Sequence, residues 1–387
     1  MNKSWWKSKD ELDNDQKAFI RLPPHGKHLL VGPPGSGKTN LLLLRAQFLA
    51  GSGEKNVLIV TYSKELAAFI RSGIGGTGLI AVSQIKTYHS WACGHILEHL
   101  DQFAVPKGSD FDDSVREKVL EQVVLANQKL PTQKLYSAIF VDEAQDLTAD
   151  ELAALLGLSD NVCICGDERQ GIYNRDGLTV ADKIGLQTHR LKRHFRIGQE
   201  VAHVADRLMP PIDGDESLEA TSNYDPKEQG KSSAKMHALA SRDEQFNKMI
   251  EILMVQVDAF KGDAIGIFCG KKDTCVELRE RFNGTALASQ VCVHGVDEHA
   301  GFDLTIPIHV LTIHSAKGAE FRAVHLFGTE ELASYPLNRR RLGFTAITRA
   351  KTALNAYRTG ETNKPLENAF SEPNHIDLDD LFPTGAV

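Results

Sequence analysis

The sequence predicts an α/β fold of two lobes, each a parallel sheet covered by helices. Short β-branched runs alternate with amphipathic helical stretches, a glycine-rich turn joins the first such strand to a helix, and paired acids close a later strand. Alternation of this kind places crossover helices on both faces of a sheet, which is how parallel strands become buried. With 387 residues, 42% hydrophobic and 25% charged, the chain exceeds one small module, so two domains are expected.

In order, the strand-like runs are His28–Val31, Asn56–Thr61, Ala138–Asp142 and Val162–Cys165, then Ala264–Phe268, His309–Thr312 and Ala323–Phe327. The lobe boundary is expected near Gln187–Leu191, giving lobes 1–188 and 189–358. Pro210 to Lys235, rich in Asp, Ser, Gly and Lys, interrupts the rhythm and reads as an exposed loop or insertion opening the second lobe. Residues 359–387 read as an acidic, flexible tail ending in Asp377-Leu-Asp-Asp-Leu-Phe382. Trp5, Trp6 and Trp91 are assigned to packing or to unknown roles, and there is no internal repeat.

Composition narrows the class. Six scattered cysteines, at 93, 163, 165, 269, 275 and 292, lack the spacing of a zinc or disulfide framework and suit a reduced cytoplasm. No run of about 18 apolar residues offers a membrane span, so a soluble cytoplasmic protein without a membrane partner is expected. The net charge is −7, yet the last 29 residues hold six acids against one lysine and account for most of it. Local basic stretches therefore matter more than the total for a nucleic-acid partner, and Arg190–His194 and Arg339-Arg340-Arg341 are the candidates.

Two motifs carry chemistry on their own. Gly32-Pro33-Pro34-Gly35-Ser36-Gly37-Lys38-Thr39 follows a strand and opens the helix Asn40–Leu49, the setting of a phosphate loop. Its backbone amides and the helix dipole suit phosphate, Lys38 suits the β and γ phosphates, and Thr39 suits magnesium. Phe140-Val141-Asp142-Glu143-Ala144-Gln145-Asp146 then ends an apolar strand in two carboxylates. Asp142 would hold magnesium and Glu143 would orient or deprotonate water. ATP with Mg2+ is the expected ligand pair, and hydrolysis the expected reaction.

The Asp-Glu-Ala-Gln-Asp run resembles motif II of the UvrD/Rep-type superfamily 1 DNA helicases, and further motifs follow in that family's order. Leu12-Asp-Asn-Asp-Gln16 resembles the motif that reads adenine, implying an adenine contact for Gln16. Thr61-Tyr62-Ser63-Lys64 and Thr87-Tyr88-His89-Ser90 resemble DNA-contacting motifs. Gly166-Asp-Glu-Arg-Gln170-Gly-Ile-Tyr173 resembles motif III, whose glutamine senses the γ-phosphate. Leu191-Lys-Arg-His-Phe195-Arg196 is similar to motif IV, with Phe195 placed on adenine and Arg196 on γ-phosphate. Thr312-Ile-His314-Ser-Ala-Lys317-Gly318-Ala-Glu320-Phe321 resembles motif V, which puts Gly318 and Glu320 at the nucleotide and Thr312 and His314 at DNA. Arg340 to Ala350 resembles motif VI and gives Arg349 its catalytic reading; alone, Arg349 would be a surface arginine after a strand.

The resemblance spans Leu12 to Lys351 and implies two RecA-like lobes with ATP in the cleft between them, single-stranded DNA across both, and 3′-to-5′ movement. Tyr62, Tyr173 and His89 are the stacking candidates, with Ser63, Lys64, Thr87, Thr312 and His314 as further DNA contacts. The chain departs from the family in compactness, with only about fifty residues between His89 and Asp142 and no room for large 1B or 2B insertions. Arg175 stands where motif III often has tryptophan, Arg322 follows Phe321 in place of an acid, and Asn338-Arg339 replaces an acidic pair. Two readings follow. One is an ATP-dependent helicase or translocase acting on single-stranded DNA or on a duplex with a single-stranded end. The alternative is a DNA-dependent ATPase subunit that feeds or regulates a partner nuclease in DNA repair or anti-phage defence. An RNA-directed motor and a small-molecule kinase fit the motif set less well.

Overall fold

The computed structural model describes residues 12–74, 78–101, 112–173, 175–211, 215–297 and 305–371. Its first sheet contains β1 (Lys27–Val31), β2 (Val57–Thr61), β3 (Ile85–Thr87), β4 (Ala138–Val141), β5 (Val162–Gly166) and β6 (Gln187–Arg190), in the order β3-β2-β4-β5-β1-β6. The second holds β7 (Ser233–Ala238), β8 (Ile265–Cys269), β9 (Val291–Val293), β10 (Ile308–Thr312), β11 (Phe321–Leu326) and β12 (Ala350–Arg358), in the order β7-β12-β11-β8-β10-β9. Every pairing in both sheets is parallel. The fold is two RecA-like lobes.

Both faces of each sheet are covered, which is why the central strands β2, β4, β5 and β8 are buried along their whole length. In the first lobe α1 (Asn14–Ile20), α2 (Lys38–Gly51) and α3 (Lys64–Ile74) cover one face; Phe19, Leu41, Leu42, Leu66 and Ile70 pack there on Leu30 and Phe140. On the other face lie α4 (Tyr88–His99), α5 (Asp113–Gln128), α6 (Ala149–Leu156) and α7 (Val180–Ile184). Trp91 of α4 is fully buried and donates its indole N–H to the Tyr136 hydroxyl at 3.1 Å, so it is a packing residue as expected. Trp5 and Trp6 lie outside the described residues. In the second lobe α8 (Gln199–Leu208) and α12 (Arg340–Ile347) cover one face, and α10 (Arg242–Ala259) and α11 (Lys272–Asn283) the other. Each large apolar side chain buried in these layers contributes about 1.5–3 kcal/mol against its exposed state.

Three expectations need correction. The edge strand β6 pairs with β1 through Arg190, and Leu191 still packs in the first lobe's core, so that lobe extends past residue 188. Pro210–Lys235 is more than an exposed loop: Leu218 joins the second lobe's core, Tyr224 is buried with its hydroxyl on Thr352 Oγ1 at 3.0 Å, α9 (Pro226–Gln229) follows, and β7 begins at Ser233. The part of the tail that is described is packed, since α13 (Lys364–Phe370) lays Leu366 and Ala369 against α8 in the same core. Asp377–Phe382 lies outside the described residues.

Candidate functional site

The phosphate loop links β1 to α2. Gly35 and Gly37 hold φ of 78° and 87°, a region costly for residues with a Cβ. The loop is also crowded, because a Cβ on Gly35 would lie 3.1 Å from Arg196 Cβ and one on Gly37 would lie 3.3 Å from Gln16 Nε2. Helix α2 starts without a side-chain cap, which leaves its first amides open to an anion. Lys38 Nζ donates to the carbonyls of Gly32 at 2.8 Å and Pro33 at 3.1 Å, so the ammonium is held at the rim of its own loop.

Pro34, Gly35, Gly37, Lys38, Thr39 and Asn40 line a cavity closed on its far side by Glu143, Gln170, Arg196, Gly318, Glu320 and Arg349. Four of the six closing residues come from motifs that resemble the second half of the family's set, so the cavity lies between the lobes. Glu143 has φ 54°, a left-handed backbone that costs a non-glycine residue about 1–3 kcal/mol, and the turn brings its carboxylate to this cavity. Burial raises the Glu143 carboxyl, but Lys317, Arg349 and Lys38, with a hydrogen bond from Gln145, outweigh it and hold the group below its ordinary value. Glu143 is therefore ionised at neutral pH.

Asp142 lies behind it, fully enclosed. Its Oδ1 accepts from Glu143 N and Cys165 Sγ, each at 2.9 Å, while Oδ2 is buried with no hydrogen-bond partner. Burial and then the neighbouring Glu143 push its pKa up to about 6, and Thr39 acts in the opposite sense. An orphaned hard oxygen beside a hydroxyl is a donor set that fits a magnesium ion. Asp142 and Thr39 would hold it, where it would offset charge on phosphate oxygens.

From the second lobe, Arg349 is 4% exposed and donates Nε to Thr345 O at 3.2 Å. Arg196 is ion-paired with Glu320. Burial lowers the pKa of both guanidiniums, and they repel one another. Gln170 is buried, and its Nε2 donates to Thr348 Oγ1 at 3.1 Å across the lobe boundary.

Some predicted nucleotide residues sit elsewhere. Gln16 is buried with both ends of its amide engaged: Oε1 accepts from Asp13 N at 3.1 Å, and Nε2 donates to Ser36 O at 2.9 Å. In this geometry Gln16 caps α1 and braces the phosphate loop beside Gly37. Phe195 is half-buried with its N–H on Gly35 O at 3.3 Å, and neither it nor Gly32, Pro33 or Ser36 lines the cavity.

A second depression holds most of the residues expected to touch DNA: Tyr62, Ser63, Lys64, Thr87, His89, Tyr173 and His314. The Tyr62 and Tyr173 rings meet at 4.9 Å between centroids, and His314 follows at 6.4 Å from Tyr173. Thr312 is not on this lining; its hydroxyl donates to Ser315 Oγ at 3.0 Å and accepts from Ser315 N, bracing the loop after β10. The basic run Arg339–Arg341 is in part committed to structure, since Arg339 and Arg341 donate to the carbonyls of Ile172 and Gly171 at 3.4 and 3.3 Å.

Comparison with known families agrees with this layout. A domain family described as AAA domain matches residues 15–176, and one described as UvrD-like helicase C-terminal domain matches residues 307–357. Together the two matches indicate a UvrD-like superfamily 1 helicase. No curated protein matches. One similar solved structure is titled "The structure of PRRSV helicase", at 15% identity and a TM-score of 0.42, covering 88% of this chain. The present chain spans 54%, about half, of that protein's length. No helix among the described residues is long and apolar enough to cross a membrane.

Three residues to which the sequence alone gave no role, Lys317, Arg116 and Arg175, border the two sites. Lys317 donates to Asp146 Oδ1 at 2.6 Å and to Gln170 O at 2.8 Å, a buried bridge between lobes. Arg116 of α5 pairs with the buried Glu151 and lies over the rings of Tyr62 and Tyr88 at 5.5 and 6.0 Å. Arg175 lies over both Tyr62 and Tyr173, at 5.6 and 5.1 Å, and donates to Asp146 O at 2.7 Å. The substitution of arginine for the family's common tryptophan thus places a cation against the aromatic pair.

Proposed function

We propose that this UvrD-like helicase hydrolyses ATP to move along single-stranded DNA in the 3′-to-5′ direction. What supports the reading is that two short segments border both the nucleotide cavity and the aromatic depression. In one, Gln170 lines the cavity and Tyr173 lines the depression; in the other, His314, Ser315 and Lys317 line the depression, and Gly318 and Glu320 the cavity. A shift of either segment on nucleotide binding changes the DNA-facing wall, so lobe closure and grip are one motion.

Within the cleft each residue has a distinct task. Lys38 leaves its loop carbonyls for the phosphates, Glu143 stays ionised to orient water, and Arg196 and Arg349 meet the charge that develops on the transferring phosphoryl group. Arginines in that position are worth about 10³–10⁵ in rate. The DNA branch and polarity rest on the motif resemblance. Displacement of streptavidin from biotinylated oligonucleotides tests them: release from the 5′ end of DNA with ATP supports the reading, whereas release from the 3′ end, or only from RNA, overturns it.

A further inference from the structure

Strand β9 is a three-residue edge strand, held on one side by β10. Its outer residues Val291 and Val293 enter the apolar core on one face of the sheet, so Cys292 is turned to the other. Parallel register sets Cys292 directly beside His309 of β10, and His294, two residues beyond Cys292, returns to the same side. His294 Nε2 and His309 Nδ1 lie 3.0 Å apart, and the ligand atoms of all three side chains fall within 4.8 Å of one another. Cys292 and His309 are buried and His294 is half-buried. Among the described residues this is the one group of three metal-ligating side chains brought so close.

The surroundings favour a cation of a particular kind. Next to His309 in the register stands Gly266, where a Cβ would lie 2.9 Å from the Phe321 ring, and that ring is 6.2 Å from the His309 ring. The wall is apolar and tight. The nearby carboxylate of Asp297 is already used, by Val293 N at 2.8 Å and Arg279 Nε at 3.1 Å, so the donor set is two imidazole nitrogens and one sulfur. Two nitrogens on one tetrahedral zinc ion stand about 3.3 Å apart, given bonds of about 2.0–2.1 Å. Opening the His294–His309 contact by a few tenths of an ångström reaches that geometry.

We propose that Cys292, His294 and His309 bind a zinc-class divalent cation that clips β9 to β10. Soft sulfur and imidazole donors select zinc over magnesium, which distinguishes this site from the oxygen donors at the phosphate loop. None of the three lines the nucleotide cavity. Binding releases the Cys292 thiol proton to solvent, while the proton between the two imidazoles passes to the other nitrogen of its own ring, and the three side chains fill three positions of a tetrahedral zinc ion.

Cobalt(II) titration of the full chain in excess Mg2+, without nucleotide, tests the site. One equivalent of Co2+ should give a thiolate-to-cobalt band in the near ultraviolet, discharged by Zn2+. Cys292→Ser should lose the band, His309→Asn should bind at least tenfold more weakly, and Zn2+ should raise the melting temperature of the unmodified chain by several degrees but not that of Cys292→Ser. Should the buried substitutions prevent folding, His294→Gln on the half-buried member supplies the same comparison, with at least a tenfold loss. Absence of the band, its persistence in Cys292→Ser, or unchanged affinity in His294→Gln would overturn the proposal.

Discussion

Lys317 and Asp146 form an ion pair of 2.6 Å between the two lobes, with side chains 4% and 0% exposed. Lys317 sits one residue before the cavity-lining Gly318 and also lines the aromatic depression, so the pair joins both sites. Removing one member leaves a buried charge without its partner, at about 3–5 kcal/mol. Lys317→Ala is expected to lower the melting temperature and to uncouple ATP turnover from DNA, and Asp146→Asn, which keeps an acceptor oxygen, should be milder. Parallel melting curves and DNA-dependent ATPase assays check this; equal behaviour of both variants and the unmodified chain would remove the pair from the coupling path.

At the cleft, Lys38→Ala is expected to abolish turnover, and Glu143→Gln to bind ATP yet not hydrolyse it. Arg349→Ala should cost about 10³-fold or more in kcat at similar nucleotide affinity. Nucleotide binding by fluorescence, with single-turnover hydrolysis, separates the two effects.

Asp142 gives a pH signature. Its pKa is raised from 3.8 to about 6, chiefly by burial, so the folded state holds its proton more tightly than the unfolded chain. The resulting stabilisation is full below about pH 4, falls as pH rises through about 6, and is absent above that. Nucleotide-free protein should therefore lose up to about 3 kcal/mol between those limits from this group. Asp142→Asn should flatten that part of the profile. Denaturant melts at pH 4.5 and 7.5 measure it, and an identical slope in the variant would contradict the assignment.

In the aromatic depression, stacking and charge should separate. Tyr62→Ala or Tyr173→Ala should weaken binding of a single-stranded oligonucleotide by about 1–3 kcal/mol with an unchanged salt dependence. Lys64→Ala should instead lower the slope of log affinity against log salt by about 0.7. Affinities across a salt series distinguish the two classes.

How much of this was legible follows from the kind of signal each residue leaves. The phosphate loop and strands β1, β2, β4, β5, β8, β10 and β11 announce themselves because buried parallel strands are continuous β-branched runs. Edge strands are different: β6 reads Gln-Thr-His-Arg and is largely exposed, so hydrophobic patterning passes over it. Helix α13 buries only Leu366 and Ala369, too few to mark a helix in a polar segment. Gln16 carries a second signal, since Asp13 followed by Gln16 is the spacing of a capping box, and that local role is the one the fold displays. Arg116 leaves no trace, because its partner Glu151 is 35 residues away and only the packing of α5 on α6 brings them together.

If nucleotide turnover and the aromatic depression act as one machine, the ATPase rate of the purified chain must respond to a single-stranded DNA oligonucleotide, measured with and without it and with Lys38→Ala as the blank. Stimulation of at least tenfold in low salt, lost in Tyr62→Ala/Tyr173→Ala, is the predicted result. A rate indifferent to DNA, in protein that binds both ligands, would contradict it.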